Sequence, residues 1–357
     1  PSGEGGASVG RELRLTLRHA VRAWEAARAF RPHIVHAHSP ATCALAGRIV
    51  ARQCGLPFVY EVRDLWEYAA VLQGKFAHGS TRFRLARAVE TWLLRTADGV
   101  TPICQGLAEE VIARRRHARG VVVCPNGVDP DRFAPGEPSA AERARWQPAG
   151  GPLIAYVGGM QPYEGLPVLV RAFARVARQI PTARLVIAGS GPAAASLAAA
   201  VREQELDDRI HLPGVLAAAE VLSLLRCADL AAYPRIACPT TRLTTPLKPL
   251  EAMAMARAVV ASDLPAMREL IRPGETGELV PAGDDVALAA RCVALLRDPD
   301  RRRRLGEQAR AFVLQERRWD AIVQRYPPLY EALFARRRQG RFWLDLPRST
   351  GAAPPPA

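Results

Sequence analysis

Lysine is almost missing from this chain. Of its 49 basic residues, only Lys75 and Lys248 are lysines. Such a bias fits a GC-rich genome, and it makes Lys248, which falls inside a motif, stand out. Paired cysteines are missing too. Cys43, Cys54, Cys104, Cys124, Cys227, Cys238 and Cys292 are scattered, with no Cys-x-x-Cys among them. An odd, dispersed set in mostly apolar contexts excludes a disulfide framework and reads as reduced thiols in a cytosolic protein. Long apolar runs are also lacking. The longest charge-free one, 185–201, is broken by Gly189-Ser-Gly-Pro192, which excludes a membrane span there. No secretory signal is visible, and the first residue is Pro1 rather than Met. Zinc-finger spacing and basic strands interleaved with aromatics are absent, so nucleic acid is not an expected partner.

What is present suffices for two domains: 357 residues, 49% hydrophobic and 24% charged. The formal net charge is +14. Arginines at 114–116, 301–304 and 336–338 read as solvated helix faces. Arg11, Arg14, Arg18 and Arg22 recur at three- and four-residue spacing, so they share one helix face, with Leu13, Leu17 and Val21 beside them. A basic face bordered by apolar residues suits an anionic membrane surface. A plain soluble basic helix has the same pattern.

Short apolar runs alternate with longer helical patterns. Strands are expected at 33–36, 58–62, 99–103, 121–124, 153–157, 185–188, 210–212, 230–233 and 259–262. Helices are expected at 11–30, 41–53, 81–96, 107–114, 165–180, 193–205, 217–227, 249–256, 285–296, 301–316 and 319–337. This alternation implies an α/β fold with parallel sheets covered on both faces. The stretch from Asn126 to Pro152 breaks it with Pro130, Pro135, Pro138, Pro148 and Pro152, and reads as a boundary. The expected division is a first domain at 1–133, a linker at 134–152 and a second domain at 153–315. A C-terminal helix at 316–339 is expected to pack back on the first domain, and a disordered tail to occupy 340–357. Two such units face each other across a cleft at their strand C-termini, a common ligand site.

The most informative segment is Thr245-Pro-Leu-Lys-Pro-Leu-Glu-Ala-Met-Ala254, followed by Val259-Val-Ala-Ser-Asp263. Pro249 suits a first helical turn, whose unpaired N–H groups attract anions. Lys248 stands at its mouth, and Glu251 follows one turn later on the same face. The set suits a sugar nucleotide, with diphosphate on the cation and helix start and ribose hydroxyls on the carboxylate. An ordinary Lys248–Glu251 surface ion pair is the alternative. Tyr233-Pro-Arg235 brings an arginine to the end of the preceding strand, within reach of the same anion. Gly158 and Gly159 follow a strand and either let backbone N–H groups approach a ligand or form a plain turn. Gly189-Ser-Gly-Pro192 reads as a tight structural turn, and Ile236 to Thr245 as a candidate lid.

In the first domain, His36 and His38 end a strand on one face. They suit hydrogen bonds to substrate hydroxyls, or burial as satisfied polar groups; no third zinc ligand is spaced nearby. Tyr60-Glu-Val-Arg-Asp-Leu-Trp-Glu67 ends another strand and concentrates Glu61, Arg63, Asp64 and Glu67 at the cleft, with an Arg63–Asp64 bridge as the structural alternative. Asp129-Pro-Asp131 and Asp298-Pro-Asp300 read as turns or helix starts rather than metal–diphosphate sites.

Together these residues resemble a retaining glycosyltransferase of family 4, with the GT-B fold of two facing Rossmann-like domains. Within that family the likeness is to bacterial exopolysaccharide glycosyltransferases associated with the exosortase A (PEP-CTERM) system. The strings that carry it are Val35-His-Ala-His38, Tyr60 to Glu67, Cys124-Pro-Asn-Gly-Val-Asp129, Tyr163-Glu-Gly165, Gly189 to Pro192, Tyr233 to Arg235, Thr245 to Ala254 and Glu269 to Gly277. The resemblance implies a nucleotide-sugar donor in the second domain and an acceptor on the first. It gives Glu251 the ribose, and Lys248 and Arg235 the diphosphate, with Gly158 and Gly159 alongside; Thr245 and Leu247 complete the donor set. Arg63 stands where many relatives carry a His near the reacting carbon, and Arg63, Asp64 and His38 are the candidate catalytic residues. Departures exist. The first glutamate of the family's paired-Glu motif would fall at 243, which is Leu243, and Arg242-Leu-Thr244 is followed by Thr245 where exosortase-type relatives have an acidic residue. Glu164 stands where many relatives place a phosphate-binding Lys. The first strand or two of the acceptor domain are expected to be missing before Pro1, leaving that domain incomplete.

The expected function is transfer of a hexose-type sugar from a UDP- or GDP-linked donor to a lipid-linked or polysaccharide acceptor, with retention, in exopolysaccharide or cell-envelope glycan synthesis. No metal or other cofactor is expected. The expected location is cytoplasmic, on the inner face of the cell membrane. Rivals are an inactive subunit of a polysaccharide assembly complex, a GT-B epimerase or phosphorylase, and a NAD-dependent dehydrogenase. A phosphorylase needs a pyridoxal lysine, and Lys75 has no suitable setting; a dehydrogenase needs a G-x-G-x-x-G after its first strand.

Overall fold

The computed structural model describes residues 9–338. Among them, β1 (Val35–His38), β2 (Phe58–Val62) and β3 (Gly99–Pro102) form one sheet, in that order. A second sheet contains β4 (Leu153–Val157), β5 (Arg184–Ala188), β6 (Ile210–Gly214), β7 (Leu230–Tyr233), β8 (Ala258–Ser262) and β9 (Glu278–Val280), ordered β6-β5-β4-β7-β8-β9. Every pairing between these strands is parallel. Parallel neighbours need crossovers, and helices supply them over the sheet faces, so β2, β3 and β8 are buried along their whole length.

That burial drives the chemistry to the strand ends. In the second sheet the chain moves outward from β4 to β5 and β6, then restarts on the other side of β4 with β7. Strand order reverses between β4 and β7, so the loops leaving these two strands diverge and open a crevice. Tyr156 and Tyr233, both buried with ring centroids 5.8 Å apart, underlie it.

Several elements differ from expectation. The first strand starts at Val35, and residues 121–124 form no strand of their own but run beside β3, with a bridge between Val121 and Val100 and with Val122 and Cys124 donating to the Val100 and Pro102 carbonyls. Within 134–152 lies the helix Ala140–Trp146, which begins on a Ser139–Glu142 capping box. It buries Trp146 against Leu153 and Leu224 of the second sheet's core. The helices Trp66–Leu72, Pro239–Leu243 and Pro265–Arg268 and the strand β9 are too short to show a period. The helix expected at 319–337 is two, Trp319–Val323 and Tyr326–Arg338. Pro327 and Pro328 sit in the first turn of the latter, where proline is tolerated. This last helix lies on the first sheet, packing Leu329 and Leu333 against Val59. The tail at 340–357 lies outside the described residues.

Arg114 and Arg115 are not on a solvated face; each is 6% exposed. Arg114 pairs with Glu67 at 2.5 Å and Glu110 at 2.7 Å, and Arg115 donates to the carbonyls of Leu94 and Ala97. Glu67 therefore belongs to the first core and not to the cleft. Beside it, the fully buried Glu90 accepts a hydrogen bond from the Tyr60 hydroxyl at 2.6 Å. Burial pushes the Glu90 carboxyl up to about 7; Glu67 adds to the rise, while Tyr60 and Arg114 oppose it.

Because this value lies above the ordinary 4.5, the neutral acid is the form that folding favours. The associated stability is full below about pH 4.5 and is lost as pH rises through about 7. Glu90→Gln keeps an acceptor for Tyr60 and drops the charge. In urea unfolding it is expected to match the wild type near about pH 4 and to exceed it near about pH 8 by on the order of 3 kcal/mol. Equal stability of the two proteins at the higher pH would contradict the assignment.

Candidate functional site

Three segments meet at the crevice: the loop after β4, the loop after β7, and the start of the helix Lys248–Ala254. Lys248 is the first residue of that helix, and its side chain turns back towards β4. Its ammonium donates to Glu164 Oε1 at 2.7 Å, to the Tyr156 hydroxyl at 2.9 Å and to the Gly159 carbonyl at 3.4 Å. The ion pair considered with Glu251 is not formed; the partner is Glu164. Gly158 makes this possible. Its φ is +148°, and a Cβ there would lie 2.3 Å from Lys248 Cε. The glycine thus clears a path for the lysine stem.

Arg235 enters from the other side. It is 4% exposed, donates from Nη1 to the Thr244 carbonyl at 3.0 Å, and lies over the Tyr163 ring at 5.6 Å. Its Nε stands 3.8 Å from Glu164 Oε2, and neither atom has a hydrogen-bond partner among the described residues. Glu164, in the short helical turn Pro162–Glu164, is therefore wedged between two cations. Burial lowers the Lys248 ammonium's pKa, and Glu164 holds it up. Burial raises the Glu251 carboxyl's, opposed by Arg132 and Lys248. Thr245 is buried, with its carbonyl accepting from Asn126 Nδ2 at 3.2 Å, while Leu247 is 37% exposed.

Facing these groups are the ends of β1 and β2. Glu61, 5% exposed, gathers His38 Nδ1 at 3.0 Å, the Tyr326 hydroxyl at 2.9 Å, Arg63 Nη1 at 3.4 Å and His36 Nε2 at 3.5 Å. The two imidazoles stack with centroids 5.3 Å apart, and His36 Nδ1 meets the Tyr330 hydroxyl at 2.7 Å. Burial lowers the His36 pKa, Glu61 opposes that, and His38 adds to it. His38 and Arg63 keep 55% and 43% of their side chains exposed. Arg63 turns to Glu61, and no Arg63–Asp64 bridge forms among the described residues. Burial pushes Asp64 up to about 6; the Leu65 N–H, Arg235 and Thr244 oppose the rise and Glu67 adds to it. Asp64 is thus within electrostatic reach of Arg235, from the other sheet.

The two units also touch around the helix Gln105–Arg115. Glu269 accepts the N–H groups of Gln105 at 2.8 Å and Gly106 at 3.0 Å, where the N-cap Cys104 offers no side-chain cap. Burial pushes the Cys104 thiol up to about 11, so it stays protonated and donates to the Leu243 carbonyl at 2.8 Å. Leu243 itself packs against the first core. The segment 236–245 is accordingly no free lid: it holds the helix Pro239–Leu243, with Thr240 and Thr241 buried. The turn Gly189 to Pro192 is structural, because a Cβ at Gly189 would lie 1.9 Å from the Gly158 carbonyl. Asp129 accepts the N–H groups of Asp131 and Arg132, and Asp298 caps its helix through Arg301 N–H, as turns and helix starts require. Sequence reasoning gave no role to Tyr326, Tyr330 or Glu269, whose partners are remote in the chain. For Glu164 the signal was present, in a glutamate where relatives carry a lysine.

Comparison with known proteins bears on this geometry. Residues 6–132 match the family described as Glycosyltransferase Family 4, and residues 151–298 match Glycosyl transferases group 1. The D-inositol 3-phosphate glycosyltransferase of Kineococcus radiotolerans is 31% identical over 317 residues, covering 83% of this chain and 69% of that protein. The chain belongs to the family 4 glycosyltransferases. Alpha-maltose-1-phosphate synthase of Mycolicibacterium smegmatis is 28% identical over 314 residues, 85% of this glycosyltransferase and 79% of that enzyme. Among solved structures, sucrose-phosphate synthase from Thermosynechococcus elongatus superposes with a TM-score of 0.76 at 25% identity, covering 93% of this chain and 81% of that one. The Anabaena protein HepE, in complex with UDP and glucose, shares the fold with a TM-score of 0.74 at 19% identity, over 93% of this chain and 84% of its own. The glycosyltransferase therefore has the GT-B fold.

The role of Gly158 is open to a direct check. Gly158→Ala forces a left-handed alanine against Lys248 and is expected to cost on the order of 2 kcal/mol in urea unfolding. Gly159→Ala, whose Cβ would meet only the Ser190 carbonyl at 4.0 Å, is expected to cost less than about 1 kcal/mol. Equal effects at the two positions would show that Lys248 does not depend on the glycine.

Proposed function

We propose that this glycosyltransferase moves a hexose from a UDP- or GDP-linked sugar to a lipid-linked or polysaccharide acceptor, with retention. The observation that carries the donor assignment is the convergence of Arg235 and Lys248 on the crevice between β4 and β7, with Glu251 one turn into the adjoining helix. Arg235 and Lys248 stabilise the leaving diphosphate, Glu251 holds the ribose, and Gly158, Gly159, Thr245 and Leu247 complete the donor contacts. The UDP bound to the similarly folded HepE supports this reading. Of the bonds made by Lys248, the longest, to the Gly159 carbonyl, is the one a phosphate oxygen replaces. These cations supply the positive charge, so the mechanism uses no metal. His38, Arg63 and Asp64 meet the acceptor and the reacting carbon from the first sheet. Exopolysaccharide synthesis of the exosortase A-associated kind is the process that the sequence motifs favour.

The acceptor is reached at the inner surface of the cell membrane. No helix among the described residues is long and apolar enough to cross a bilayer. The helix Val9–Phe30 buries Thr16 and Ala20 where it packs on the helix Ala41–Gln53. On one flank, between that buried stripe and the face of Arg14, Arg18 and Arg22, Leu17 is 50%, Val21 55% and Trp24 37% exposed, while the side chain of Leu13 lies outside the described residues. Apolar side chains with a basic flank suit an anionic leaflet, where each Arg contributes about 1 kcal/mol.

Two experiments test these readings. Lys248→Ala and Glu251→Ala are each expected to weaken UDP or GDP binding by about 1.5–3 kcal/mol in calorimetry, the range for lost charge-assisted hydrogen bonds. Unchanged affinity in both variants removes the donor assignment. In co-sedimentation, the protein is expected to bind anionic vesicles, to release them at high salt, and to lose binding when Arg11, Arg14, Arg18 and Arg22 become Gln. Equal binding to neutral and anionic vesicles excludes the membrane role.

A further inference from the structure

An ammonium has three N–H groups, and the fold engages all three of those on Lys248, with Glu164, Tyr156 and Gly159. Glu164 is only 4% exposed, and its second oxygen sits unpartnered, among the described residues, beside an equally unpartnered Arg235 Nε at 3.8 Å. Two cations and one carboxylate leave the pocket with a single net positive charge. The further acids near it are Asp64, towards Arg235, and Glu251, towards Lys248; neither forms an ion pair with these cations.

Resting on the nucleotide-donor reading above, we propose that Glu164 is a built-in counter-anion of the diphosphate site, fixed in place of a ligand charge. It stabilises Lys248 and Arg235 while the site is empty, which keeps two buried cations from repelling one another. It also opposes a bound diphosphate, since a buried carboxylate a few ångströms away interacts strongly at low effective dielectric. A nucleoside diphosphate carries one more negative charge once its bond to the sugar is broken. The repulsion therefore falls harder on the product than on the donor, and Glu164 hastens product release at the expense of nucleotide affinity.

The test compares wild type, Glu164→Gln, Glu164→Met and Glu164→Asp by calorimetry with UDP and with GDP, at low and at high salt. Gln keeps an oxygen for Lys248 and removes the charge; Met removes both; Asp keeps the charge. Glu164→Gln is expected to bind the nucleotide preferred by the wild type about tenfold tighter at low salt, with the gain shrinking at high salt. Glu164→Met is expected to tighten binding in the same direction, and Glu164→Asp not to tighten it. If both neutral variants bind as the wild type does, or more weakly, Glu164 serves only to hold Lys248 and the counter-anion role is overturned, while the donor site stands. Absence of UDP and GDP binding in every form overturns both readings.

Discussion

Lys248 binds together what the backbone alone would leave apart. Its ammonium touches β4 through Tyr156, the following loop through Gly159 and Glu164, and its own chain adjoins β7 through Tyr233, whose hydroxyl donates to the Lys248 carbonyl at 3.0 Å. Strand order reverses between those two strands, so nothing in the sheet itself fixes how their loops meet. One side chain supplies that geometry, and a glycine leaves room for it. Breaking one partner of such a buried pair is far more disruptive than its net contribution suggests, because the other charge is left without compensation.

A second buried carboxylate organises the facing side. Glu61 collects two imidazoles, a guanidinium and a phenol from three separate parts of the chain. Its Tyr326 contact draws the C-terminal helix across the first sheet, so residues far apart in sequence set the pose of His38 and Arg63. On both sides of the crevice a buried acid thus orients the bases gathered around it.

The legible parts of the sequence were those governed by local rules. The bounds of β2, β4 and β7 and of the helices Ala41–Gln53 and Thr81–Thr96 followed from apolar runs ending at polar residues or caps. Glu61 and Glu67 show where local rules end. They stand six residues apart in one string, yet a strand delivers the first to the crevice and a short helix turns the second into the core against Arg114. The carboxylate partner of Lys248 lies 84 residues upstream, and Tyr326, which donates to Glu61, lies 265 residues downstream, so no spacing within a motif encodes either contact. The nearer glutamate, Glu251, drew the ion-pair reading because helical periodicity was the only geometry available.

The Glu269 contact gives the joint between the two units a particular character. A carboxylate from one unit closes the exposed N–H groups of a helix from the other, and charge at a helix start is favoured by only a modest amount. On parting, water takes over both sides of that bond, so separation leaves little unsatisfied. Reclosure, in contrast, needs the carboxylate to find two N–H groups at once. The contact therefore behaves as a locating pin that defines where the halves come to rest.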